Sequence, residues 1–274
     1  MRYIMSKVKE NYLKKIERKI KKGYGQGLGE AYKPWHEVKD VPSIGSSTKA
    51  AGYKIARIHH LLSQLEKKYF YTLEWSPVVT DVREQYPLLP IQETLQIAER
   101  IGVKHPMNIK EKEPEVMTTD FLINFGDTIV ARTVKYSKDT NSQRIMEKLE
   151  IERLYWKSRN VDWGIITEIQ ISEILVDNIM YIYKSQDIDD IHTSIQNKFE
   201  GLMLDELLNN VPISDAANIV DDRLGLSPGT ALSLTRHFLA TRRWIVDMSI
   251  PINPHKPLKV LNANSSVITT RLGG

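Results

Sequence analysis

Two apolar runs that meet at a two-residue turn constrain this fold more than any other feature of the chain. A hairpin is expected over Val116–Tyr136, closed by Gly126-Asp127, a glycine-first dipeptide suited to a type II′ turn. That turn places Asp120 opposite Thr133, with Lys135 on the same strand face and one diagonal from the carboxylate, roughly 7 Å away. Phe121, Ile123 and Phe125 line one face with Val130 and Val134, while Leu122, Ile129 and Ala131 flank the polar side. A strand apolar on both faces is central in its sheet, where a charge is costly unless it is employed. On an exposed hairpin the same Asp–Lys pair is a surface ion pair worth about 0.2–1 kcal/mol. A carboxylate and a lysine at this separation can share one phosphate and its metal ion, the arrangement of metal-dependent nucleases.

Elements on either side extend the pattern. Arg57 to Trp75 reads as a helix with Ile58, Leu61, Leu62, Leu65 and Tyr69 on one stripe and Glu66 at its edge. His59 and His60 are adjacent and point apart, which disfavours a two-histidine metal site. Val78–Leu89 reads as extended, Gln92–Arg100 as helical, and Asn141–Arg159 as a helix whose stripe of Ile145, Leu149 and Trp156 includes Glu152. That buried glutamate is expected either to pair with a cation or to assist a metal centre. Trp163–Thr167 is a short apolar run typical of a buried strand. Together these describe an α/β sandwich around a mixed sheet.

Beyond about residue 170 helices take over, expected at Ile171–Lys184, Ile188–Asn209, Ser214–Leu224 and Gly229–Arg243. Ser214 reads as the cap of the third, Gly225 as its stop, and Ser227-Pro228 as the opening of the fourth. Strands at Trp244–Pro251 and Leu258–Ile268 would complete a winged-helix layout, a module that docks on DNA or on protein, with Arg236, Arg242 and Arg243 as the candidate DNA contacts. The division expected is therefore a mixed-sheet domain over 1–170 and a mostly helical domain over 171–274.

At 274 residues, 41% hydrophobic and 26% charged, the chain has a globular composition and the length for two cores. It contains no cysteine, so disulfides and cysteine-rich zinc sites are excluded. No apolar run approaches membrane-spanning length, and the N-terminus lacks the apolar segment of a signal peptide, so an intracellular location is expected. Residues 1–25 carry nine basic and two acidic side chains, a net +7 that leaves −3 for the remainder of a chain at +4. Arg2, Lys7, Lys9, Lys14, Lys15, Arg18, Lys19, Lys21 and Lys22 in this arm suit contact with nucleic acid, or serve solubility on a solvated helix. A loop with Gly23, Gly25, Gly27 and Gly29 follows, but no predicted strand precedes it and no Gly-Lys-Ser/Thr succeeds it, so a nucleotide site is rejected. A second loop is expected over Pro42–Gly52, where Lys49 is placed to touch a DNA backbone.

Several segments together carry a family resemblance. These are Gly23–Gly29 with Tyr32-Lys-Pro-Trp35, His59–Glu66, Leu73-Glu-Trp75 running to Asp81–Pro90, Val103-Lys-His-Pro106, Met117-Thr-Thr-Asp120 and Glu147–Trp156. As a set they resemble TnsA, the endonuclease subunit of heteromeric transposases, over most of the first 165 residues; the C-terminal part matches by architecture. The resemblance implies a restriction-endonuclease-like domain and a winged-helix domain. It also implies cleavage of the 5′ strand at each transposon end, beside a TnsB-type transposase and a TnsC-type AAA+ ATPase, in a prokaryotic cytoplasm. By motif the family's helix glutamate falls on Glu66, its metal-binding aspartate on Asp120 and its lysine on Lys135. Where the best-known member has glutamine two residues before the lysine, this chain has Thr133. Hard oxygen donors from Glu66 and Asp120, with the Val134 carbonyl, suit Mg²⁺ or Mn²⁺, and Thr133 and Glu152 are further candidate ligands. A stand-alone nuclease and an adaptor with a weak or inactive centre are the alternatives.

Overall fold

The hairpin is the seed of the N-terminal unit. In the computed structural model, which describes residues 8–40, 47–183, 185 and 192–263, Phe121 pairs with Arg132 and Phe125 with Thr128. Gly126 takes φ +58, the left-handed first position that a type II′ turn demands and glycine adopts without penalty. The contacts divide the chain into two units, Met1–Ile171 and Ser172–Gly274.

The first unit begins with helix α1 (Glu10–Lys21), followed by strands β1 (Thr48–Ala51) and β2 (Ile58–Leu61), helix α2 (Gln64–Trp75), β3 (Asp81–Pro87) and α3 (Ile91–Arg100). Then come the two-residue strands β4 (Met107–Asn108) and β5 (Glu113–Pro114), the hairpin β6 (Thr118–Phe125) and β7 (Thr128–Val134), α4 (Gln143–Lys157) and β8 (Asp162–Ile166). The main sheet has the order β3-β6-β7-β8. Its first two pairings are antiparallel and the last is parallel, because α4 carries the chain back over the sheet before β8 begins. β6 is thus the central strand its two apolar faces anticipate. On one face Leu122 and Ala131 pack with Ile97 and Ala98 of α3 and Ile151, Tyr155 and Trp156 of α4. On the other, Tyr69 of α2 meets Phe121 edge-on at 5.5 Å. Each fully buried aliphatic or aromatic side chain here contributes about 1.5–3 kcal/mol.

Three expectations change in this unit. The helix expected from Arg57 starts only at Gln64, because Ser63 caps it: its Oγ accepts the Glu66 N–H, and the Glu66 carboxylate accepts from Leu62 N and Ser63 Oγ. Upstream, Ile58–Leu61 pairs with Thr48–Ala51, so part of the loop expected over Pro42–Gly52 is strand; residues 42–46 lie outside the described ones. The basic arm is a docked helix. Ile16, Tyr12, Leu13 and Ile20 of α1 pack on Trp35, Ile91, Leu95 and Val116, whereas Arg2 and Lys7 lie outside the described residues.

The second unit contains α5 (Glu173–Tyr183), α6 (Thr193–Leu208), α7 (Ile213–Leu224), α8 (Thr230–Ala240) and the antiparallel strands β9 (Trp244–Val246) and β10 (Val260–Ala263). Lys184, residues 188–191 and the 264–268 part of the expected last strand lie outside the described residues. Phe199 stacks on Trp244 at 5.8 Å, and Phe238 meets Trp244 edge-on at 5.3 Å. Ser214 does not cap α7: the helix starts one residue earlier, after Pro212, and the N–H groups of Ile213 and Ser214 reach the Lys256 and Pro254 carbonyls. Gly225 ends α7 at φ +64, as expected of a C-terminal glycine. α8 is capped from a distance, since both oxygens of buried Asp221 accept from Gly229 N and Ala231 N, each at 2.7 Å. That single carboxylate fixes the α7–α8 corner. The helix expected to reach Arg243 ends at Ala240.

Candidate active site

Asp120 projects from the middle of the sheet toward the end of β7. Its Oδ2 accepts the Val134 N–H at 2.7 Å and the Lys135 Nζ at 3.0 Å, while Oδ1 accepts no hydrogen bond among the described residues. Lys135 also donates to the Val134 carbonyl at 2.9 Å. Its ammonium therefore bridges two oxygens that a divalent cation would use. Burial alone would lower the Lys135 pKa, but the Asp120 charge and hydrogen bond, then Glu66 and Glu152, raise it, so this site stabilises positive charge.

Glu66 arrives from the first turn of α2 and is 5% exposed. Burial first, and then the Asp120 charge, push its carboxyl up to about 7 against the Leu62 N–H and Lys135. The three residues assigned by resemblance thus lie within electrostatic reach of one another. Glu66 stands off the wall of the adjoining pocket, a space of about 240 Å³ lined by Asp120, Thr133, Lys135, Glu152, Glu115 and Lys148 among others. His36 borders it too, held down at about 4 by burial and then by the Lys19 charge.

Glu152 makes no salt bridge among the described residues. Its Oε1 accepts from Thr119 Oγ1 (2.6 Å), Trp163 Nε1 (3.0 Å) and the Thr133 hydroxyl. Neither alternative expected from the sequence anticipates this solution, in which donors from β6, β7 and β8 surround one carboxyl. Burial and then the Asp120 charge raise it to about 7. Sequence reasoning also missed Gln85, whose Nε2 donates to Glu66 Oε2 at 3.2 Å. Its φ of +49 costs a non-glycine residue about 1–3 kcal/mol. The available signal was Thr118-Thr119 beside Asp120: Thr118 holds Gln85 and Thr119 holds Glu152.

The donor set suits a hard cation in part. Asp120 offers a free oxygen, Glu66 a second carboxylate and Val134 a carbonyl, but among the described residues no three acidic or imidazole side chains close into a cage. A cation here would complete its shell with water and phosphate oxygens, as Mg²⁺ characteristically does.

The basic residues divide by their surroundings. Lys14 pairs with Glu10 and Lys15 with Glu111, both at 2.6 Å, and Lys19 lies over the Trp35 ring at 4.6 Å. Arg18, Lys21 and Lys22 are exposed and make no ion pair among the described residues, and Lys49 is exposed on β1. Arg236 lies over Tyr181 at 4.4 Å, and Arg242 is partly buried at φ +57. Arg243, a candidate DNA contact, is drawn to buried Glu200 at 2.5 Å, with Gln196 and Asn197 alongside.

An acid in a central strand with a lysine one strand away, in a mixed sheet followed by a helical region, is a nuclease-like arrangement. The TnsA-like endonuclease N-terminal family matches residues 76–168 and the TnsA endonuclease C-terminal family residues 170–248. Asp120, Lys135 and Glu152 fall inside the first match, and Glu66 lies ahead of it. Transposon Tn7 transposition protein TnsA of Escherichia coli is 43% identical over 171 residues, which is 61% of this chain and 62% of that protein. The match thus spans somewhat under two thirds of the relative's length. With both family matches in sequence, the chain belongs to the TnsA family.

Proposed function

We propose that this chain is a Mg²⁺-dependent DNA endonuclease that cleaves the 5′ strands at transposon ends, working with a TnsB-type transposase and a TnsC-type ATPase. The observation that carries the reading is the Lys135 ammonium lodged between Asp120 Oδ2 and the Val134 carbonyl. A lysine so placed needs only a small shift to give those oxygens to a metal and its own charge to a phosphate. Glu66, Asp120 and the Val134 carbonyl would hold the ion, for which Mn²⁺ is an acceptable substitute. When bound, the ion supplies Lewis-acid stabilisation of the scissile phosphate. Lys135 then neutralises charge developing on a non-bridging oxygen or orients the attacking water. The Thr133 hydroxyl is already committed to Glu152 and brings no charge to the centre, so intrinsic activity is expected to be low and partner-dependent. Among the described residues no helix is long and apolar enough to cross a membrane.

The test is strand-resolved cleavage of end-labelled transposon-end DNA with Mg²⁺ or Mn²⁺, in the presence and absence of both partner proteins. Asp120→Ala is expected to abolish 5′-strand cleavage while leaving assembly intact. Normal cleavage by that variant overturns the site. Cutting by the wild type without partners points to a stand-alone nuclease, and assembly without cutting points to an adaptor.

A further inference from the structure

Gln85 occupies a position that a regular strand would not give it. The β3–β6 register runs from Asp81↔Asn124 to Glu84↔Phe121 and resumes at Tyr86↔Thr119, so Gln85 lies across from Asp120 at the one place where the pairing is interrupted. There its φ is +49, a conformation uncommon outside glycine that breaks the strand's alternation of faces. The displaced side chain is buried, donates from Nε2 to Glu66 Oε2 at 3.2 Å and accepts from Thr118 Oγ1 at 3.1 Å. Because the Thr118 hydroxyl takes up the amide oxygen, the NH₂ group is the one presented to Glu66.

The glycine loop and the Tyr32–Trp35 segment hold this kink from outside. Trp35 N donates to the Gln85 carbonyl at 3.1 Å, and the Tyr32 hydroxyl donates to the Glu84 carbonyl at 3.0 Å. Gly25 closes the approach: a Cβ there would stand 2.3 Å from Pro87 Cγ. A loop that reads as a failed phosphate site is thus a clamp on the peptide units around Gln85.

We propose that Gln85 is a positioning residue for Glu66, and that the Thr118–Gln85–Glu66 relay, clamped by Tyr32 and Trp35, orients this carboxylate for a divalent cation shared with Asp120. The proposal rests on the nuclease reading above. Asp120 receives its own orientation from Val134 N and Lys135, so the two acids are aimed by separate supports. Partners of this kind, which orient a ligand rather than touch the ion, typically change metal affinity 10- to 100-fold.

The experiment is calorimetric titration of the full chain with Mn²⁺ alone, on wild type, Asp120→Ala, Gln85→Gly and Thr118→Val. Glycine accepts the left-handed φ and removes the amide; valine keeps the shape of threonine and removes the hydroxyl. Wild type is expected to bind and Asp120→Ala to lose binding. Gln85→Gly is expected to weaken Mn²⁺ affinity about tenfold, and Thr118→Val to weaken it in the same direction with an unchanged melting profile. In DNA cleavage the loss is expected in kcat with KM for DNA unchanged. Wild-type affinity in a folded Thr118→Val and Gln85→Gly, beside lost binding in Asp120→Ala, overturns the relay and leaves the site reading standing. If Gln85→Gly does not fold, Thr118→Val alone decides. If wild type takes up no Mn²⁺, or Asp120→Ala binds as wild type does, the site reading fails and the relay with it.

Discussion

Glu152 shows how one residue can be located by its pattern while its hydrogen-bond partners stay unread. Its place in the apolar stripe of α4 follows from helical spacing, and burial bears that out at 3% exposure. The hydroxyls and indole that satisfy it come from three strands, and they converge only once α4 has laid β8 parallel to β7. Nothing local in the sequence predicts that meeting. Its raised pKa has a definite consequence for stability. A carboxyl moved from an ordinary 4.5 to about 7 by burial and by Asp120 favours folding fully below pH 4.5. That contribution is lost as pH rises through 7, to about 3 kcal/mol at most. Glu152→Gln is neutral throughout, so its melting temperature relative to wild type is expected to climb by a few degrees between pH 5 and pH 8 in metal-free buffer. Thermal melts at those two values decide it, and a constant offset sinks the assignment. Asp120 and Lys135, by contrast, were readable as a pair, because a two-residue turn fixes register and register fixes faces. The separation was not: the lysine reaches back to make contact at 3.0 Å, because a flexible four-carbon stem is not bound by the spacing of Cβ atoms.

Among elements, the hairpin β1–β2 was lost to the sequence because Ile58, Leu61 and Leu65 fit a helical stripe by coincidence. The decisive signal was the Ser63-x-x-Glu66 cap, which starts the helix late and leaves Ile58–Leu61 free to pair. The hairpin is joined to β3 by one buried carboxylate. Glu84 accepts two bonds from Arg57, at 2.8 and 2.6 Å, the His60 N–H at 2.9 Å, and meets His59 Nδ1 at 2.9 Å. Burial alone would raise its pKa, but the bonds from Arg57 and His59 prevail and hold it at about 2. A depressed carboxyl contributes stability above its ordinary 4.5 and loses it as pH falls toward 2. Acid unfolding of the wild type is therefore expected to steepen in that window. Glu84→Gln leaves Arg57 buried without its counter-charge, at a cost of about 3–5 kcal/mol near neutrality, and flattens the acid limb. Chemical denaturation of both proteins at pH 7 and pH 3 checks this. Equal losses at the two values would show that the pair contributes shape and not charge.

For the molecule as a whole the open matter is where its positive charge works. Most of the excess lies in the first 25 residues, which look detachable in sequence, yet α1 is part of the fold through Ile16 and its neighbours. Removing it would expose Trp35, Ile91 and Val116 and confound any loss of DNA binding with loss of structure. Single charges are the cleaner probe, because the helix sorts them. Lys15 is engaged with Glu111 and Lys19 with aromatic rings, whereas Arg18, Lys21 and Lys22 face solvent without an ion pair among the described residues. If these three meet phosphates, each contact releases counterions and steepens the fall of affinity with salt by about 0.9 in the log–log slope. The Arg18→Ala, Lys21→Ala, Lys22→Ala triple variant is then expected to bind duplex DNA more weakly at 50 mM salt and to show a slope shallower by about 2.7. Lys15→Ala is the matched control, removing one charge that already has a partner, and its slope is expected to stay at the wild-type value. Fluorescence anisotropy across a salt series gives both slopes, and a triple variant with the wild-type slope would assign this face of α1 to solvation and return the search for the DNA surface to Lys49 and the pocket rim.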